Sequence, residues 1–133
     1  MGQREFVQQP AATSTGHRMA SVVEHALATV PCDLLLVPTR GGLVARAISR
    51  FKPSVWIIAP SSDCAACQNL AFSYGVYPIN LAEEPDDWRE WIARWVRENG
   101  ITAERVMLVA GPSPRNPKAN YRIELMRLDA ENS

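Results

Sequence analysis

A chain of 133 residues with 47% hydrophobic content is sized for one domain around one core. Lys plus Arg equals Asp plus Glu, 14 each, so neither nucleic acid nor an anionic membrane is indicated as a bulk partner, and any anion site has to be local. Apolar runs such as 34–37 and 55–59 are far too short to span a bilayer, and the first ten residues lack the apolar stretch of a signal peptide, so the expected location is cytoplasmic.

Residues 1–13 are polar and aperiodic and read as a flexible N-terminal arm. Met1 and this arm look like a natural start, and 14–133 read as the domain. Ser14 or Thr15 caps a helix to about Thr29, with Met19, Val22, Val23, Ala26, Leu27 and Val30 at helical spacing. Pro31 ends it. The apolar run 33–37 predicts a strand covered on both faces. A turn, Thr39-Arg40-Gly41-Gly42, leads to a helix over 43–51 that stops before Pro53. A second buried strand covers 55–59. Asp63 caps a helix to about Ser73, Gly75 breaks it, and 76–81 is a third strand. Pro85, Asp86 and Asp87 open a helix that ends at Asn99-Gly100. A fourth strand spans 105–110, a loop 111–120, and a fifth strand 121–128.

Strands alternating with helices predict an α/β fold of three layers, α/β/α. Strands one, two and four are buried runs and belong in the middle. Pro78 sends strand three to an edge. Strand five alternates, with Tyr121, Ile123 and Leu125 against Arg122 and Glu124, as a half-exposed edge does. No helix separates it from strand four, so it runs antiparallel. Right-handed crossovers then give a five-stranded mixed sheet of order 3-2-1-4-5. A topological switch point falls between strands one and four, where ligands of open α/β sheets bind.

Residues 37–53, VPTRGGLVARAISRFKP, closely resemble a signature of the pyruvate kinase C-terminal α/β domain, T-x-S-G-x-T-A-R-x-I-S-x-[FY]-[RK]-P. Residues 69–79, NLAFSYGVYPI, look like the same family's L-x-L-x-x-G-V-x-P segment. A third stretch, 105–111 with Asn120, is similar to its final strand and loop. The resemblance covers roughly residues 15 to 128 and implies the fold just derived. It also implies that the chain is not a complete enzyme, because the family's catalytic residues lie in a separate barrel domain. In many members this domain binds a phosphorylated effector on the turn after the first strand. Thr39 and Gly42 match that motif. Gly41 stands where the family has Ser and Val44 where it has Thr or Ser, which implies weaker phosphate binding than the family norm, or a different anion.

The expected ligand is therefore a small anionic or phosphorylated molecule. Its expected contacts are Thr39, Arg40, Gly41, Gly42 and Leu43 on the turn, and Arg115, Lys118 and Asn120 in the facing loop. Glycines let an anion approach the backbone, and the basic residues supply a local charge. No catalytic residue, metal or cofactor is expected. Cys64-Ala-Ala-Cys67 opens a helix after a strand, the setting of thiol–disulfide enzymes, which stands as an alternative function; it lacks their preceding aromatic and Gly-Pro. Cys32, His17 and His25 have no metal-ligand spacing with it. Trp88, Trp91, Ile92, Trp95 and Val96 form an apolar stripe read as core, with part of it free for a partner subunit. The bare edge of strand five predicts a homo-oligomer. Two further alternatives are an interaction module with a degenerate ligand site and a split part of a pyruvate kinase.

Overall fold

Leu34, Leu35 and Leu36 offer nothing polar on either face, and in the computed structural model they form β1 (Leu34–Leu36), buried on both sides at the middle of the sheet. The structure describes residues 11–113 and 115–128. The other elements are α1 (Ala11–Thr29), α2 (Leu43–Ser49), β2 (Trp56–Ser61), α3 (Cys64–Leu70), β3 (Val76–Asn80), α4 (Trp88–Glu98), β4 (Arg105–Ala110) and β5 (Arg122–Arg127).

The sheet order is β3-β2-β1-β4-β5, as the chirality argument requires. β1 pairs in parallel with β2 and with β4, placing Leu35 between Ile57 and Met107, and β5 runs antiparallel to β4. The alternation of side chains divides the core in two. On one face Leu35, Ile57 and Met107 pack with α1, α2 and α3 through Val23, Ile48 and Leu70. On the other, Leu34, Leu36, Ile58 and Leu108 pack with α4 through Trp91, Ile92 and Val96. The connections β1-α2-β2 and β2-α3-β3 run one way across the sheet and β3-α4-β4 runs the other, which sends α4 to the opposite face.

Local chemistry sets the helix starts. Asp63 caps α3 by accepting the amides of Ala65 and Ala66, and Asp87 caps α4 by accepting the amide of Arg89. α3 is shorter than expected, closing at Leu70. α1 is described from Ala11, so residues 11–13 of the expected arm are helical and the expected caps Ser14 and Thr15 lie inside the helix. The expected arm at 1–10 lies outside the described residues. β2 runs through Pro60, which a central strand tolerates here because pairing with β1 ends at Ile58. Beyond that point the Pro60 carbonyl accepts the amide of Thr39 at 2.9 Å.

β5 alternates between the two faces, but burial does not follow the expected set. Ile123 packs on the face of α1 and α2, but the core residues farther along are Met126 and Leu128, which pack on the α4 face. Leu125 is left 57% exposed, as no helix covers that corner of the edge. Val22 is likewise exposed, because α1 turns Ala20 and Val23 inward.

Asp33 clamps the two central strands. Its carboxylate accepts the amides of Glu104 and Arg105 at 2.8 and 3.1 Å, and those bonds hold its pKa below the usual carboxylate range. A carboxylate depressed by folding stabilises the native state above its ordinary pKa and loses that contribution as acid protonates it. Stability measured by urea unfolding is expected to fall as pH drops below about 4. Asp33→Asn should be less stable than wild type at pH 7 and should lose less on acidification. Parallel pH profiles for the two proteins would remove Asp33 as a source of the acid limb.

Candidate functional site

The carboxyl ends of β1, β2, β3 and β4 open into a cleft of about 900 Å³. One wall is the turn after β1. Thr39 is anchored by its amide to β2, and its Oγ1 accepts the amide of Gly42 at 2.7 Å. That bond folds the turn back on itself and takes up one of the amides an anion would use. Gly42 has φ 86°, the left-handed region that glycine enters without cost, and a Cβ there would lie 3.1 Å from Leu70 Cγ. The glycine thus serves the approach of α2 to α3. The Gly41 carbonyl accepts from Arg46 Nη2 at 3.3 Å, tying the turn to the next helical turn.

Ser61 holds the turn from the β2 side. It is buried, donates through Oγ to the Arg40 carbonyl at 3.0 Å, and accepts the Asp63 amide at 3.1 Å. The backbone of Arg40 is therefore fixed, while its exposed guanidinium has no carboxylate within ion-pair distance among the described residues.

The opposite wall is the loop after β3. Glu83, Glu84 and Asp86 enter the cleft beside Trp88, and Arg115 crosses to meet them. Arg115 Nη1 donates to Asp86 at 2.7 Å and to the Glu84 carbonyl at 3.2 Å, and the Asp86 bond raises its pKa further. Arg122 lines the rim, 3.4 Å from Glu124. The expected basic mouth is electrically mixed, with Arg40, Arg115 and Arg122 facing Glu83, Glu84 and Asp86.

The structure brings Thr39, Arg40 and Arg115 together in this cleft. Gly41 and Gly42 shape the turn without lining it, and Leu43 sits against Gly16 of α1. Lys118 and Asn120 are exposed on the 111–120 loop and do not reach the wall. Sequence reasoning missed Ser61, Ser62 and the acidic segment. A serine pair ending an apolar strand beside the capping Asp63 was the available signal.

Cys64 and Cys67 are free thiols on α3, Cys64 exposed and Cys67 half-buried. Burial, followed by the nearby Cys64 and Asp63, pushes the Cys67 thiol up. A thiol raised in this way makes a slow redox catalyst. The chain is expected to reduce insulin disulfides at background rate, and the double variant Cys64→Ser, Cys67→Ser to keep its fold by circular dichroism. Catalytic turnover lost in either single variant would restore the oxidoreductase reading. Among the described residues no group of three His, Cys, Asp or Glu could hold a metal ion, and no helix is long and apolar enough to cross a membrane.

Comparison with known proteins gives one consistent result. The family model described as "Pyruvate kinase, alpha/beta domain" matches residues 17–121. The pyruvate kinase of Thermococcus litoralis is 54% identical over 63 residues, 47% of this chain and 13% of that protein. The pyruvate kinase of Lactobacillus delbrueckii subsp. bulgaricus is 33% identical over 82 residues, 58% of this chain and 14% of that protein. The matched region is thus a small fraction of the length of these curated relatives. Among solved structures, Cryptosporidium parvum pyruvate kinase in complex with ADP superposes with TM-score 0.72 at 21% identity, covering 90% of this chain and 24% of that one. A second pyruvate kinase structure from the same organism gives TM-score 0.68 at 19% identity. Both show a shared fold.

Proposed function

The chain belongs to the pyruvate kinase alpha/beta domain family, and from that premise we propose that it is a non-catalytic, regulatory ligand-binding domain of the cytoplasm. Its ligand is a small anionic or phosphorylated molecule held at the turn after β1. The observation that carries this reading is Arg40: a cation with no ion-pair partner among the described residues, on a backbone pinned by Ser61, in the cleft at the carboxyl ends of the strands. A fixed backbone places the charge before the ligand arrives, so less ordering is lost on binding. The Thr39 and Ser62 hydroxyls add donors nearby.

The mixed walls set the selectivity. A bare polyanion meets Glu83 and Glu84 as well as Arg40. A ligand carrying one anionic group and several hydroxyls can satisfy both, with the hydroxyls donating to the carboxylates. Calorimetric titration of the purified chain with inorganic phosphate, sulfate and sugar phosphates tests the reading. Sugar phosphates should bind, and more tightly than sulfate. Absence of heat at millimolar ligand would count against the site.

Phosphoryl transfer needs residues that position Mg²⁺ and the phosphates around the reacting atoms, and the resemblance places those in a barrel domain separate from this one. The chain alone is expected to form no pyruvate from phosphoenolpyruvate and ADP in a coupled assay. Measurable pyruvate would place catalysis within it. A second reading, association through β5, rests on the open edge and on Leu125. A homodimer or larger closed assembly by light scattering supports it, and a monomer at high concentration removes it.

A further inference from the structure

We propose that Cys64 and Cys67 form a reversible intramolecular disulfide, and that its closure loosens the turn carrying Arg40 and weakens ligand binding in the cleft. The two residues stand three apart in the first turn of α3. Helical geometry places Cα atoms at that spacing about 5 Å apart, inside the roughly 4.4–6.8 Å that a disulfide accepts. Cys32 precedes β1 at the other end of the sheet, so it cannot compete for either sulfur.

Closure by a small disulfide such as oxidised glutathione is chemically balanced. The exposed Cys64 thiolate attacks one glutathione sulfur, forms a mixed disulfide and expels a glutathione thiolate. Cys67, as its thiolate, then attacks Cys64 Sγ and expels the second. Two protein thiols are oxidised and one glutathione disulfide is reduced to two thiols, which take up the two protons. Because Cys67 is pushed up by burial, it waits as the protonated, resolving partner.

The link to the cleft is a short chain of contacts. Cys67 Sγ donates to the Ser61 carbonyl at 3.8 Å, and Ser61 Oγ in turn donates to the Arg40 carbonyl. Cys64 Sγ accepts from Asn80 Nδ2 at the end of β3. A disulfide removes the Cys67 donor and turns Cys64 away from Asn80. The Ser61–Asp63 bend loses a tether at each end, and Ser61, whose carbonyl keeps only the Leu81 amide at 2.8 Å, holds the Arg40 carbonyl less firmly. The other end of α3 carries Leu70, beside Gly42, so α3 meets the turn directly there and through Ser61 at its start.

Closure of the disulfide stands on the thiol geometry, and its effect on binding rests on the cleft being the ligand site. The test incubates the full chain in reduced or oxidised glutathione, alkylates free thiols and counts labels by mass spectrometry. Inorganic phosphate is titrated in both states. Three labels are expected when reduced and one, on Cys32, when oxidised. Phosphate affinity should fall about three- to tenfold on oxidation and return with dithiothreitol, while Cys64→Ser and Cys67→Ser bind alike under both conditions. A full set of labels after oxidation, or glutathione retained on Cys64 with Cys67 still labelled, overturns the disulfide. A closed disulfide with unchanged phosphate affinity overturns the coupling. A closed disulfide with no phosphate binding in either state overturns the coupling together with the reading of the cleft.

Discussion

Replacing Gly42 with valine is expected to lower the free energy of unfolding by about 3 kcal/mol. Two costs add. Its φ of 86° lies in the left-handed region, where an L side chain costs about 1–2 kcal/mol and a β-branched one is least tolerated. A Cβ would also lie 3.1 Å from Leu70 Cγ, and Leu70 is fully buried, so it has little room to yield. Overpacking of this kind costs about 1–3 kcal/mol. Gly75 is the control. It has φ 68°, but nothing lies within 4 Å of its would-be Cβ, so Gly75→Ala is expected to lose only about 1 kcal/mol. Urea unfolding of both variants separates the terms. Equal losses would mean that the contact with Leu70 contributes nothing. The same contact makes Gly42→Asp a poor probe of binding, because it disturbs packing along with charge.

Arg40→Glu is the cleaner probe, and it is expected to weaken phosphate binding about 10- to 100-fold with little change in stability. A unit charge pair about 4 Å apart is worth about 1 kcal/mol in water and about 4 kcal/mol near a protein surface, and reversal changes it by twice that, so the exposure of Arg40 sets the effect at the low end. The Arg40 side chain is exposed, and the turn is held through its carbonyl, which Glu retains. Arg115→Gln should weaken binding less, about threefold or under, because Arg115 is already spent on Asp86. Calorimetry at low ionic strength reads both, since salt screens exposed charges. A larger loss at Arg115 than at Arg40 would move the anion to the 111–120 loop.

The strand order was legible because unbroken apolar runs at 34–37, 55–59 and 106–110 leave no polar face for water, which forces those strands inside. Pro78 and the charges of β5 then settled the edges. The site was legible only in part. Thr39 and Arg40 could be placed because they follow a buried strand at the switch point. The position of Glu83, Glu84 and Asp86 could not, because the path of a loop has no period to read. Nor could the pairing of Arg115 with Asp86, which joins loops far apart in sequence. Leu125 misled for a related reason: alternation says which face a residue takes, but not whether a helix covers that corner.

Anion binding over the β1 turn is tested most directly by titrating inorganic phosphate into isotope-labelled protein and following backbone amides by NMR. The amides of Thr39, Arg40, Ser61, Ser62 and Ser113, which line the cleft, should shift together and saturate with one dissociation constant. Trp91 and Trp95, on the buried helix face, should stay in place. Shifts confined to α4, or none at millimolar concentrations of either inorganic phosphate or a sugar phosphate, would contradict the assignment of the cleft as the ligand site.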